Sequence, residues 1–283
     1  MFTTPLISVD HLSQLMETDP LLLVLDCSFD LTDAHAGRRA YDAGHVPLAR
    51  HVHLDTVLSG VKNGRNGRHP LPEPQAFAHA MAALGAQSNS HIVAYDNASG
   101  MYAARLWWLL RWAGHAQVAV LDGGIEAYRR AALPLSTQAP APATGNFDLR
   151  PTLVNTIDYR RLRTELENPQ RRVLDARAPD RFRGENENLD PVGGHIPGAH
   201  NRFFRDNLNA QGLFKPAAQL RAEFEPLMNG LPATSLVSQC GSGVTACHQL
   251  LALELAELPG ATLYPGSWSE WCAQPDTVIA TGT

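Results

Sequence analysis

Apolar positions in this 283-residue chain fall into short runs, separated by longer stretches with helical spacing. Strand-sized runs are Leu22-Leu23-Val24-Leu25-Asp26, His91-Ile92-Val93-Ala94-Tyr95, Val173-Leu174-Asp175 and Leu236-Val237-Ser238-Gln239, with further strands opening residues 118–128 and 261–271. Brief apolar runs bounded by turn residues mark buried strands. Residues 74–84, 102–112, 156–167 and 245–256 read as helices between them. Trp107, Trp108 and Trp112 share one face of the second of these, which predicts packing against a sheet. Strands that alternate with helices predict parallel sheets covered on both faces.

The pattern is written twice. An apolar strand ending in Asp26 recurs at Asp175, and Gly44-His45-Val46-Pro47-Leu48-Ala49 recurs as Gly194-His195-Ile196-Pro197-Gly198-Ala199. A strand running into a small-residue loop and a helix appears at Asp96-Asn97-Ala98-Ser99-Gly100 and again at Cys240-Gly241-Ser242-Gly243. The offsets are about 143 to 150 residues, so a whole domain is duplicated and no short-period solenoid is involved. Residues 134–151 are rich in Pro, Ala, Ser and Thr without apolar periodicity, which is linker composition. The expected layout is a first α/β domain over 1–135, a linker over 136–151 and a second α/β domain over 152–283.

Composition narrows the function classes. A net charge of −5 argues against nucleic acid as the main partner, and no run approaches the length of a membrane span. The first ten residues lack a basic stretch followed by an apolar core, so a cytoplasmic location is expected. The four cysteines, Cys27, Cys240, Cys247 and Cys272, contain no Cys-x-x-Cys pair, so neither a metal site nor a dithiol centre is expected.

The informative feature is an asymmetry between the copies. Where the first half places Asp96, the second places Cys240, at the carboxyl end of a strand where ligands bind in open α/β sheets. Gly241 and Gly243 let the backbone curl so that N–H groups face inward, and the helix starting near Thr245 adds its positive end. Such a cradle stabilises a thiolate, a persulfide anion or the charge that develops during sulfur transfer. Ser242 can donate a hydrogen bond to any of them. Cysteine phosphatases use a similar strand–loop–helix thiol, but clamp phosphate with an Arg on the sixth residue after it; here that residue is Ala246.

The octapeptide Cys240-Gly241-Ser242-Gly243-Val244-Thr245-Ala246-Cys247 closely resembles the active-site loop of 3-mercaptopyruvate sulfurtransferases. The run Gly194–Ala199 and the segment Gly266-Ser267-Trp268 resemble two further signatures of the two-domain rhodanese family. The resemblance implies two tandem rhodanese-like domains, the first without catalytic activity, each a mainly parallel sheet flanked by helices. It implies Cys240 as nucleophile, with Gly241, Gly243, Val244 and Thr245 lining its anion cradle. Ser242, Asp55 and His69 match the family's proton relay, so residues from both halves of the sequence would serve one reaction. Arg181 matches an arginine that grips the donor carboxylate.

The family's second arginine belongs within residues 185–190, which read Glu-Asn-Glu-Asn-Leu-Asp; Arg183 and Arg202 are the candidates for its place. Thiosulfate-preferring relatives carry an Arg-Lys pair after the cysteine, where this chain has Gly241 and Ser242. The expected activity is therefore transfer of sulfur from 3-mercaptopyruvate, a small anionic donor, to a thiol, cyanide or thioredoxin-like acceptor, without metal or organic cofactor. The alternatives are a thiosulfate:cyanide sulfurtransferase and a non-catalytic sulfur carrier or redox sensor.

Other residues carry plainer expectations. His45 and His195 recur in both halves and should fix their turns, and Asp26 and Asp175 should anchor loops. Cys27 and Cys247 read as core residues, while Trp268 and Trp271 read either as core or as pocket wall.

Overall fold

A computed structural model describes residues 2–283, and their contacts divide the chain into two compact units. The first comprises Met1–Gly60, Pro72–Leu153 and Gln211–Leu213; the second comprises Val61–Leu71, Val154–Ala210 and Phe214–Thr283. The segment Val61–Leu71 therefore belongs to the second unit although it lies in the first half of the sequence.

In the first unit, strands β1 (Leu6–Ile7), β2 (Leu22–Asp26), β3 (Arg50–His51), β4 (His91–Tyr95) and β5 (Val118–Leu121) form a parallel sheet in the order β1-β5-β4-β2-β3. Helices α1 (Val9–Thr18), α2 (Ala36–Ala43), α3 (Pro74–Ala83), α4 (Ala103–Trp112) and α5 (Gly124–Arg130) alternate with the strands. Val24, Val93, Tyr95, Ala119 and Leu121 supply the sheet's share of a core that α1, α2 and α5 cover with Leu12, Tyr41 and Ile125. Trp107 and Trp108 are buried, as the spacing along α4 predicts, and Trp108 stacks on half-buried Trp112.

The second unit repeats the plan with β6 (Asn155–Thr156), β7 (Arg172–Asp175), β8 (His200–Asn201), β9 (Leu236–Gln239) and β10 (Thr262–Leu263), ordered β6-β10-β9-β7-β8 and all parallel. Its helices are α6 (Tyr159–Glu165), α7 (Pro179–Arg183), α8 (Ala217–Met228), α9 (Thr245–Leu255) and α10 (Ser267–Trp271). The expected helix over 156–167 starts later, because Thr156 pairs in β6 and the Asp158 carboxylate caps α6 by accepting from the Arg161 amide at 2.8 Å. Trp268 and Trp271 lie in the core beside Ile157, Val173 and Val237, which resolves their two readings in favour of packing.

The repeated turn residues play matched structural parts. His45 stacks on Tyr41 and His195 on Phe182, each with ring centroids 3.8 Å apart, and each Nδ1 bonds the carbonyl of its stacking partner. Asp26 accepts from the Ser28 amide and Asp175 from the Arg177 amide, so both anchor the chain leaving their strands.

Residues 136–151 depart from the behaviour their composition predicts. Ser136 bridges His45, the Gly145 amide donates to Ala82, the Arg150 amide donates to Ala113, and Phe147 is buried against Phe77 and His115. The segment is laid along the first unit by backbone hydrogen bonds and one aromatic anchor, which a count of Pro, Ala, Ser and Thr does not register. Among the described residues, no helix is long and apolar enough to cross a membrane.

Candidate active site

Cys240 follows β9 directly and is only 2% exposed. The carbonyl groups of its loop are committed to α10: Trp268 N–H donates to the Cys240 carbonyl and Ser269 N–H to the Gly241 carbonyl, each at 2.9 Å. Ser267, held at φ 54°, accepts from the Cys240 amide at 3.1 Å and donates to the Tyr264 carbonyl at 2.9 Å. With the carbonyls so occupied, the Gly243 amide turns to the sulfur and donates to Cys240 Sγ at 3.2 Å. Gly243 has φ 81°, and a methyl group there would come 2.4 Å from the Pro265 carbonyl oxygen, so no other residue fits. Val244 is buried, Thr245 opens α9, and Cys247 Sγ donates back to the Gly243 carbonyl at 3.2 Å. The result is a curled loop at a helix N-terminus with an amide aimed at a sulfur, an arrangement that stabilises negative charge on that sulfur.

The first unit shows what the same loop does without a thiol. Asp96 follows β4, and the Ile125 amide donates to its carbonyl at 3.0 Å as Trp268 does to that of Cys240. Its own carboxylate fills the cradle: Oδ1 accepts from the amides of Ala98 and Gly100, and Oδ2 from those of Tyr102 and Ala103, at 2.7 to 2.9 Å. Burial pushes this carboxyl up from its usual range, while the four amides pull the other way. In the first unit, then, the chain's own Asp96 takes up the amides of the loop.

Of the expected relay, Ser242 and His69 meet: His69 Nδ1 lies 2.7 Å from Ser242 Oγ, and both side chains are buried. The strap Val61–Leu71 delivers His69 to the second unit. Its register is fixed where the Arg68 amide donates to Ser269 Oγ at 3.0 Å and Gln274 Nε2 donates to the Arg65 carbonyl at 3.0 Å. Asp55 lies in the first unit, half-buried, with its amide donating to His53 Nδ1 at 3.1 Å.

Arg181 sits above the loop within a cluster the sequence did not reveal. Its Nε and Nη2 donate to the Glu187 carboxylate at 2.8 to 3.1 Å, and Nη2 also reaches Asp190. Asp190 pairs in turn with Arg68 Nη1. Behind them Arg177 bonds Asp175 at 2.7 Å and the Gly194 carbonyl at 2.6 Å, lies 3.5 Å from Glu187, and covers the Trp268 ring. Burial works against the Arg177 cation, but Asp175 and Glu187 outweigh it and hold its proton more firmly than usual; a Cys240 thiolate adds to this. Burial also opposes charge on Glu187, yet the Leu189 amide and Arg181 keep its carboxyl below the usual range; Asp190 is pushed up by burial, with Arg68 offsetting part. A methyl group on Gly241 would come 2.8 Å from Arg68 Nη2 and 3.4 and 3.5 Å from Arg181 Nη2 and Nη1, so both guanidinium groups face the residue after Cys240.

The two candidates for a second arginine sit elsewhere. Arg183 is spent on Glu185 in a largely exposed pair. Arg202 is buried over the Phe224 ring and bonds Glu223 at 2.8 Å and Asn207 at 3.1 Å. Neither supplies one of the three atoms nearest to where a methyl group on Gly241 would stand. Burial pushes the thiols of Cys27 well up and of Cys272 up to about 11, so these two are held protonated.

Comparison with known proteins agrees with this geometry. A model of the rhodanese-like domain matches residues 8–131 and 158–274. The chain is 46% identical to a probable 3-mercaptopyruvate sulfurtransferase of Pseudomonas aeruginosa, covering 94% of each protein. It is 35% identical to a putative thiosulfate sulfurtransferase, SseB, of Mycobacterium tuberculosis, over 98% of this chain and 97% of that one. The crystal structure of the 3-mercaptopyruvate sulfurtransferase SseA from Escherichia coli superposes with a TM-score of 0.82 at 30% identity, covering 94% of this chain and 99% of the other. With two copies of the domain and full-length relatives on this scale, the chain belongs to the two-domain rhodanese family.

Proposed function

We propose that this protein takes a sulfur atom from 3-mercaptopyruvate onto Cys240 and passes it to a thiol or cyanide. The observation that carries the reading is the Gly243 N–H aimed at Cys240 Sγ at 3.2 Å, in a loop whose carbonyls are engaged by α10.

The first half-reaction is a displacement at sulfur. The Cys240 thiolate attacks the donor's sulfur, the S–S bond forms, and the C–S electron pair leaves on carbon as the enolate of pyruvate. The proton of the donor thiol ends on that carbon, giving pyruvate and an anionic persulfide. Ser242, hydrogen-bonded to His69, is the group in reach to move it; Asp55 joins this relay on the strength of the family resemblance. The loop amides and the N-terminus of α9 balance the charge before and after transfer. In the second half-reaction an acceptor thiol takes the outer sulfur as its own persulfide, or cyanide takes it as thiocyanate, and the Cys240 thiolate returns.

Gly241 and Ser242 favour 3-mercaptopyruvate over thiosulfate, because a dianion calls for cations that these positions do not carry. The first domain, with Asp96 in place of the thiol, carries no sulfur. Steady-state rates with both donors and cyanide test the reading: kcat/KM for 3-mercaptopyruvate should exceed that for thiosulfate by roughly 100-fold or more. A preference for thiosulfate would replace it with the thiosulfate:cyanide reading.

A further inference from the structure

Taking Asp55 as a member of the relay, as in the reading above, we propose that His53 is its positioning residue: the imidazole catches the Asp55 amide and so fixes how the carboxylate is presented.

Both ring nitrogens of His53 are committed. The Asp55 amide donates to Nδ1 at 3.1 Å, so the proton of the neutral ring sits on Nε2, which donates to the Ala34 carbonyl at 3.0 Å. The ring stands edge-on to buried Phe29, with centroids 5.1 Å apart, which limits its rotation. The His53 carbonyl accepts from the Val57 amide at 3.0 Å and closes residues 54–57 into one turn. Leu54 in that turn is buried. At the far end Arg105, itself buried on α4, donates to the Leu58 carbonyl through Nε and Nη2 at 3.3 and 3.2 Å. The turn is thus held at both ends, and the imidazole is the group that holds the amide of Asp55 itself. Fixing that amide fixes the direction in which Cβ leaves the main chain, so only two side-chain torsions remain to set the carboxylate.

The second half of the chain offers an internal comparison. About 150 residues on, Ala199 to Arg205 match Ala49 to Asp55. The pairing agrees: Leu25 lies beside Arg50 as Leu174 lies beside His200. The Val52 amide donates to the Asp26 carbonyl at 2.7 Å, as the Arg202 amide does to that of Asp175 at 2.9 Å. His53 therefore corresponds to Phe203, and Asp55 to the exposed Arg205. Phe203 has no side-chain acceptor; its ring packs edge-on to Phe204 at 5.1 Å, and its carbonyl accepts from the Asp206 amide in a tighter 3-10 turn. The half that supplies a relay carboxylate has an imidazole to hold it, and the half that supplies none has a phenyl ring there. Ring packing alone would be served by either side chain. Holding the amide two residues on calls for an acceptor, a part that Asp and Asn play in Asx turns and His53 plays here.

The test uses the full chain with 3-mercaptopyruvate and cyanide, with kcat taken per folded molecule. His53→Phe, which copies the second half, should lower kcat roughly 5- to 30-fold with KM within about twofold. His53→Asn, whose side-chain oxygen can accept from the amide two residues on, should return kcat to within about threefold of the wild type. Hydrogen exchange at the Asp55 amide should quicken roughly 10-fold or more in His53→Phe, and stay within about threefold in His53→Asn. In an Asp55→Asn background, His53→Phe should cost no more than about a further twofold, because the ring acts through that residue. Equal losses in the two His53 variants, unchanged exchange in His53→Phe, or a full loss added to that of Asp55→Asn would overturn the proposal. The relay reading is judged separately. An Asp55→Asn variant with unchanged kcat takes Asp55 out of the relay and overturns both, whereas a damaged Asp55→Asn beside a harmless His53→Phe overturns the positioning alone.

Discussion

His69 Nδ1 and Ser242 Oγ stand 2.7 Å apart, although 173 residues separate them in sequence, and both side chains are buried. The imidazole reaches the serine because the strap that carries it packs on the second unit, where Arg68 and Arg65 bond to groups in and just after α10. On the proposed reaction, a proton leaving the donor thiol would have a hydroxyl and an imidazole in series. This pairing, more than either residue alone, should set the rate of the first half-reaction.

Ser242→Ala and His69→Gln should each lower kcat for 3-mercaptopyruvate by roughly 100-fold with a smaller effect on KM, the range expected for loss of general acid–base help. Because the two act as one unit, the double variant should be no more than about threefold worse than the poorer single one. Multiplying effects in steady-state assays would show that the contact does not carry the proton.

Asp96→Ala removes the acceptor of four amides in the first unit, three of them buried. Unfolding by urea should show a loss of about 2 to 4 kcal/mol, while kcat per folded molecule stays within about twofold. Undiminished stability would mean that the carboxylate does not fill the cradle as described.

Arg202→Ala should behave as a structural change. It takes away a cation over Phe224 and one of the partners of Glu223, for which Lys215 remains. Thermal unfolding should shift downward by about 1 to 3 kcal/mol in stability, with KM for 3-mercaptopyruvate within about twofold. A large rise in KM would return Arg202 to the list of donor-binding groups.

Alkali should weaken the fold through buried Cys27 and half-buried Cys272. Burial raises Cys272 from 9.0 to about 11, so the folded state holds its proton more tightly than the unfolded one. That contribution to stability is complete below pH 9 and lost as pH rises through about 11, and Cys27 acts in the same sense. Urea midpoints should fall across this window, less so in Cys272→Ser. Alkylation followed by peptide mapping at neutral pH should leave Cys27, which is fully buried, largely unmodified; rapid labelling of it would contradict that burial.

The sequence made the architecture plain wherever local pattern sufficed. Five-residue strands such as β2 and β4, the helices with apolar faces, and the repeat that set Asp96 against Cys240 were all readable. The two-residue strands β1, β3, β6 and β8 leave no mark in the pattern, since two residues carry no periodicity and owe their pairing to neighbours. Gly241 and Gly243 announced a curled loop, but the engagement of its carbonyls by α10 depends on Ser267 at positive φ, which no rule for serine anticipates. His69 could be singled out only through the resemblance. Arg68 ends the polar run Lys-Asn-Gly-Arg-Asn-Gly-Arg over Lys62–Arg68, which has no apolar spacing, and only tertiary packing brings it to Asp190. Residues 185–190 hold acids, and two of these, Glu187 and Asp190, hold Arg181 and Arg68.

The central claim is that Cys240 carries the transferred sulfur on its amide cradle. Mixing the protein with one equivalent of 3-mercaptopyruvate, without acceptor, and mapping the peptides by mass spectrometry tests it directly. The account predicts a gain of about 32 Da, one sulfur atom, on the peptide containing Cys240, matched by one equivalent of pyruvate and absent in Cys240→Ser. Sulfur found on another cysteine, or undiminished turnover by Cys240→Ser, would contradict it.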